Sequence, residues 1–207
     1  VGQLDTKSGN WFTRWGLMKN KLNRTAKKVQ DQVINKVIQK FLPKILETER
    51  NVALQISELL KEQKQPKEIM QIMQKNLSTV ASVQKQQFKT IYDTIEKFVE
   101  ASSKKMGEKI DASKMNDKNK LNTKNYWLLL ITQIKLNAFQ HISQKILEEV
   151  TGVLGDNKNA ISFYNAASPN IKMSKDTSNN IEQKVEQQKN QITAAEKEMQ
   201  NNNETVA

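Results

Sequence analysis

His141 is the one imidazole in a chain of 207 residues, and any histidine chemistry would have to be built on it. Its neighbours Gln140 and Ile142 supply no acid, and Ala138 stands where a Glu-x-x-His metal helix would carry its carboxylate. The local sequence reads as a histidine at the edge of a helix face. Glu148 with Glu149, Glu182 with Glu186, and Glu196 with Glu198 are the acid pairs that general acid–base chemistry would draw on. Each lies in Lys-rich amphipathic sequence, where solvated surface charge is the ordinary role, and Glu182 reads as an acid near the start of the last helix, where it suits the helix dipole. Gly152 and Gly155 lack the Lys-Ser/Thr pair of a phosphate-binding loop. No cysteine is present, which removes thiolate nucleophiles, thiolate metal sites and disulfides together. The expectation is a non-enzyme with no catalytic residues, no metal site and no cofactor.

The Trp11, Phe12 and Trp15 cluster, beside Arg14, Lys19, Lys21 and Arg24, carries more. Tryptophan suits the headgroup boundary of a bilayer, and a basic helix with aromatics on one face can lie in that plane. The competing reading makes these aromatics one end of a helical core. Base stacking on single-stranded nucleic acid ranks lowest, because it favours a sheet platform and no strand is predicted.

The elements that must position these residues follow from composition and periodicity. Hydrophobic residues are 37% of the chain, and 21 Asn with 20 Gln fill the deficit. So polar a chain buries narrow seams rather than a thick core, and six Gly with three Pro leave little punctuation for the turns of a β-sandwich. An all-α, elongated helical bundle or antiparallel coiled coil of three to five helices is expected.

Residues 1–9 read as a disordered lead. Residues 10–64 form basic amphipathic helices kinked at Pro43, which cannot donate to the preceding turn. Residues 66–154 form a long helical hairpin with a loop over 111–124. Its first arm carries Met70, Met73, Leu77, Ala81, Gln84, Phe88, Ile91, Ile95, Phe98 and Ser102 mainly at steps of three and four. At ~1.5 Å per residue that arm is roughly 65–70 Å long. Asn125 or Thr123 is the expected cap of the second arm, which opens on the apolar run Tyr126–Ile131 and ends at Gly152 or Gly155. A loop over 155–173 leads to a C-terminal helix over 174–200, seamed by Ile181, Val185, Gln188, Ile192 and Met199, with 201–207 frayed. The seam residues singled out for helix pairing are Leu77, Phe88, Ile91, Ile95, Phe98, Ile181, Val185, Ile192 and Met199.

The net charge is +11, and 30 of the 33 basic residues are Lys. Arginine, the better fork for phosphate and guanine, is limited to Arg14, Arg24 and Arg50, which disfavours sequence-specific nucleic-acid recognition. Residues 1–46 carry ten cations against Asp5 and Asp31. No motif singles out a family. The function expected is a structural or adaptor component working by helix–helix contact, with other protein subunits or a second copy as partners, in a bacterial secretion or cell-surface apparatus. The alternative is a peripheral membrane-binding or pore-forming effector meeting an anionic membrane through its N-terminal helix. A secreted, periplasmic or membrane-peripheral location is favoured over a cytoplasmic one.

Overall fold

The stripe that starts at Trp11 and steps through Trp15, Met18, Leu22, Ala26 and Val29 places all but Trp11 of these six among fully buried residues, so one face of the first helix is core. The computed structural model describes residues 11–206, without the side chains of Leu77 and of 202–206; the expected lead over 1–9 lies outside the described residues. Six α-helices are present and no strand among the described residues: α1 (Trp11–Gln32), α2 (Gln39–Lys61), α3 (Pro66–Asp111), α4 (Asp117–Leu154), α5 (Lys158–Ala167) and α6 (Pro169–Val206). The all-α helical bundle expected from the sequence is the fold.

The count exceeds the expected three to five by one helix, α5, and the division expected at Pro43 falls elsewhere. A π-helical turn, Val33–Ile38, separates α1 from α2. Pro43 lies inside α2, so the irregularity falls upstream of the proline, and the Gln39 carbonyl loses the N–H that residue 43 would have supplied. In addition, the segment expected as a loop over 155–173 contains α5. Asn157 caps it, its side chain accepting the Ala160 N–H at 3.1 Å, and Ala160 and Tyr164, one turn apart, anchor it in the core.

The loop expected over 111–124 shrinks to 112–116. Asn116, not Asn125 or Thr123, caps α4 by accepting the Asn119 N–H at 2.8 Å. Residues 117–124 have no apolar periodicity, yet a helix already nucleated adds one hydrogen bond for each residue it fixes. Lys124 pairs with Asp111, and Lys120 reaches the Asp111 carbonyl, tying the first two turns of α4 to the end of α3. Gly152 is interior to α4; Gly155, at φ +62°, ends it, donating to the Thr151 carbonyl at 2.8 Å. α6 starts at Pro169, a favoured first-turn position, and continues to Val206 where fraying was expected from 201. Glu182 is therefore well inside the helix, away from the dipole's positive end.

Two compact units are built from these helices. Among the described residues, unit 1 holds 11–33, 96–136 and 180–206; unit 2 holds 34–95 and 137–179. In unit 1, α3 and α4 run antiparallel, as Lys124 with Asp111 and Lys135 with Glu96 (3.0 Å) require. α4 and α6 are antiparallel too: Lys118 pairs with Glu198, and Leu129 shares a core with Val185 and Ile192. In unit 2, α2 and α3 pair through Thr48 with Gln87 (2.9 Å) and Glu49 with Gln84 (2.9 Å), and Phe139 of α4 packs on Phe88 and Tyr92 of α3.

Candidate functional site

The basic aromatic cluster of α1 is drawn into unit 1. Trp15 is 1% exposed; its indole N–H donates to Glu196 Oε2 at 3.2 Å, and Lys19 Nζ reaches the same oxygen at 2.7 Å. Trp11 lies 5.9 Å from Trp15, ring to ring, and Tyr126 of α4 meets Trp15 edge-on at 5.7 Å. The Tyr126 hydroxyl returns to α1 by donating to Asn23 Oδ1 at 2.7 Å. Burial raises the Tyr126 pKa above its ordinary value, with the Asn23 bond and Lys19 opposing and Glu196 adding. These residues form a clasp between α1, α4 and α6, with one edge half open.

Of the residues proposed for membrane or partner contact, then, Trp15 is core and Lys19 is ion-paired within the chain. Trp11, Arg14 and Lys21 are half-buried, while Phe12 and Arg24 are exposed. Sequence reasoning missed Tyr126 and Glu196, the two residues that complete the clasp. Tyr126 was hidden as the first member of an apolar run, and Glu196 looked like any acid on a polar helix.

The seams are filled within the units. Phe88, Ile91, Ile95, Val185, Ile192 and Met199 are buried; Ile181 is half-buried against the Leu129 cluster. Phe98 is half-buried because the stripe of α3 shifts to Val99, Met106 and Ile110, which are buried. Leu77 falls outside the described side chains. Exposed apolar residues include Leu17 on α1, Val83 on α3, and Leu121 with Leu128 on α4, at 63%, 46%, 58% and 46%.

Unit 2 contains the most elaborate polar arrangement in the described residues. Glu49 of α2 is 0% exposed. Its Oε1 accepts from Gln84 Nε2 at 2.9 Å, and its Oε2 accepts from the Tyr164 hydroxyl at 2.5 Å and the Ser168 hydroxyl at 2.8 Å. Gln84 Nε2 also donates to Ser168 Oγ at 3.1 Å. Ser168 sits at the joint between α5 and α6, so the knot ties α2, α3, α5 and that joint. All three donors on the carboxylate are uncharged. Burial pushes the Tyr164 pKa well above the phenol range, and the Glu49 charge and hydrogen bond push it further. A phenol so held keeps its proton through neutral pH. Two grooves of this unit, one between α4 and α6 and one beside Ser57 and Asn157, are lined by other residues. The sequence did carry a signal: Glu49 occupies the seam register between Ile45, Val52 and Ile56, as Gln84 does in α3. Two polar residues in facing seams were set to meet.

His141 is half-buried, and desolvation, with Lys145 beside it, lowers its pKa against the smaller opposing pull of Glu148. No group of three or more potential metal ligands occurs among the described residues. An open groove of about 500 Å³ between α4 and α6 is lined largely by amides and hydroxyls, Gln140, Ser143, Gln144, Thr151, Ser178 and Asn179 among them. No helix among the described residues is long and apolar enough to cross a membrane. Comparison with known proteins finds no family model, no curated protein and no solved structure that matches the chain.

Proposed function

We propose that this chain is a non-catalytic structural or adaptor component that works by helix–helix contact in a larger assembly. One face of α4 carries the reading. Leu121, Asn125 and Leu128 follow at steps of four and three, the spacing of one heptad, and both leucines are exposed, at 58% and 46%. A polar residue between two apolar seam positions is the arrangement that fixes register between paired helices. A bacterial secretion or cell-surface apparatus is the setting we propose, on the Lys- and Asn-rich, cysteine-free composition. The test is photo-cross-linking from residues 121 and 128, read beside the solution mass. Specific adducts at both positions, lost in Leu121→Glu/Leu128→Glu with the melting temperature unchanged, are expected. A chain that stays monomeric and yields no adduct at either position overturns the reading.

One observation favours the second reading, a peripheral membrane binder or pore-forming effector. Leu17, Arg24 and Lys28 share one exposed face of α1 at steps of seven and four, with Phe12 exposed nearby. Anionic liposomes should then float the chain even at high salt, and Phe12→Ala/Leu17→Ala should abolish flotation. Flotation unaffected by that pair excludes this face as the anchor.

A further inference from the structure

The buried face of α6 changes chemistry along its length. In unit 1 its fully buried residues are Val185, Ile192 and Met199, and the first two share a core with Leu129 of α4. In unit 2, over 169–179, Asn170, Ser174 and Ser178 are fully buried, and Ile171 is the one apolar residue that joins them. Ser178 returns its hydroxyl to the Ser174 carbonyl at 2.9 Å. The Asn170 amide, donor and acceptor alike, and the Ser174 hydroxyl have no hydrogen-bond partner. Both residues are closed to solvent at 0% exposed, so the hydration given up on packing is not offset. The Ser143 hydroxyl of α4 is closed to solvent and unpartnered in the same way. The open groove between α4 and α6 runs beside this stretch, with Gln144 and Leu147 on one wall and Lys175 and Asn179 on the other.

We infer that residues 169–179 of α6 are a strap that opens by local unfolding ahead of the rest of unit 2, with Ser168 as its latch. Opening returns the polar atoms of Asn170 and Ser174 to water and uncovers one fully buried apolar side chain, Ile171. Opening the next turns of α6 would uncover Val185, Ile192 and Met199 instead. Segments with few buried apolar contacts are the ones that open first. The chain is pinned just before the strap, where Ser168 Oγ donates to Glu49 at 2.8 Å and accepts from Gln84 at 3.1 Å. It is pinned again after it, where Val185 enters the Leu129 core. An open strap removes one wall of the groove and leaves Leu147 of α4, already 37% exposed, more accessible. The strap does not rest on the adaptor reading, which is carried by Leu121 and Leu128.

The experiment is native-state hydrogen exchange of the full chain, resolved by residue with NMR. Amides 173–179 should exchange about tenfold or more faster than amides 142–150 of α4 in the same unit. Ser174→Ala removes an unpartnered hydroxyl and should slow 173–179 severalfold. Asn179→Ala, at an exposed position of the same segment, measures the gain in helix propensity alone and should slow them less. Ser168→Ala should speed 173–179 by about tenfold while amides 185–192 keep their rates. Protection over 173–179 equal to that over 142–150 overturns the strap. Equal slowing by Ser174→Ala and Asn179→Ala overturns the buried polar atoms as its cause. Exchange over 173–179 unchanged in Ser168→Ala, or accelerated uniformly along the whole chain, overturns the latch.

Discussion

Two carboxylates, one in each unit, are held in opposite ways. Glu196 in unit 1 has a side chain 32% exposed and answers a cation, Lys19, together with the Trp15 indole. Glu49 in unit 2 is fully buried and answers only an amide and two hydroxyls. Water screens the first and shares in its solvation, so losing a partner there has a bounded cost. The second is fully buried, and the Tyr164 and Ser168 hydroxyls both donate to its one carboxylate. The comparison separates a contact that decorates a helix crossing from one that the packing of unit 2 is organised around.

The largest expected effect follows from removing the buried acid. Glu49→Ala leaves three donors without their acceptor and opens a cavity, and should cost about 3–5 kcal/mol of stability in a denaturant titration. Glu49→Gln should cost clearly less, because the Tyr164 and Ser168 hydroxyls can accept as well as donate and re-pair with the amide. Equal losses in the two variants would mean that packing, not hydrogen bonding, holds the knot.

Tyr164 gives the comparison a pH axis. Its folded-state pKa lies above the ordinary 10.0, so above about pH 10 the unfolded chain binds fewer protons than the folded one. Stability from this group is complete below pH 10 and falls as pH rises further, with a limiting slope of about 1.4 kcal/mol per unit. Alkaline unfolding of Tyr164→Phe should be distinctly shallower than wild type. Tyr126→Phe should flatten it less, since Tyr126 is half-exposed in a clasp that includes Lys19.

In unit 1, Glu196→Ala should cost no more than about 1–2 kcal/mol, and Lys19→Met less than about 1 kcal/mol, because the first also orphans the Trp15 N–H. The Lys19 effect should shrink as salt rises; a salt-independent loss would move this pair into the class of Glu49. The smallest effect belongs to His141. Its depressed pKa favours the neutral ring in the folded state, so its contribution is present above the unfolded value of 6.5 and is lost as pH falls below it. His141→Gln should remove a shallow acid-side slope and leave the alkaline limb untouched.

The same contrast shows where sequence reading succeeds. Seams over Phe88–Ile95 and Val185–Met199 were legible because burial on a helix repeats every three or four residues, and that repeat is local. The helical start at Asp117 was not, since DKNKLNTK has no apolar repeat and is held by Asn116 and by Lys124 meeting Asp111. α5 escaped notice because only Ala160 and Tyr164 of its ten residues are fully buried. Among site residues, Trp15 and Lys19 were visible by type, but whether they faced solvent or Glu196, 181 and 177 residues away, was not.

By itself, then, the sequence determined an all-α chain with single-file apolar stripes and no cysteine chemistry, because periodicity and composition are properties of neighbours along the chain. Tertiary structure alone decided that Glu49, Gln84, Tyr164 and Ser168 share one buried knot, and that Trp15 closes on Tyr126 and Glu196. The side-chain bonds that join them span 35 to 181 residues, and no helical repeat reaches so far. Only the packing of several helices at once brings their polar atoms within bonding distance, and that packing is set by all the seams together.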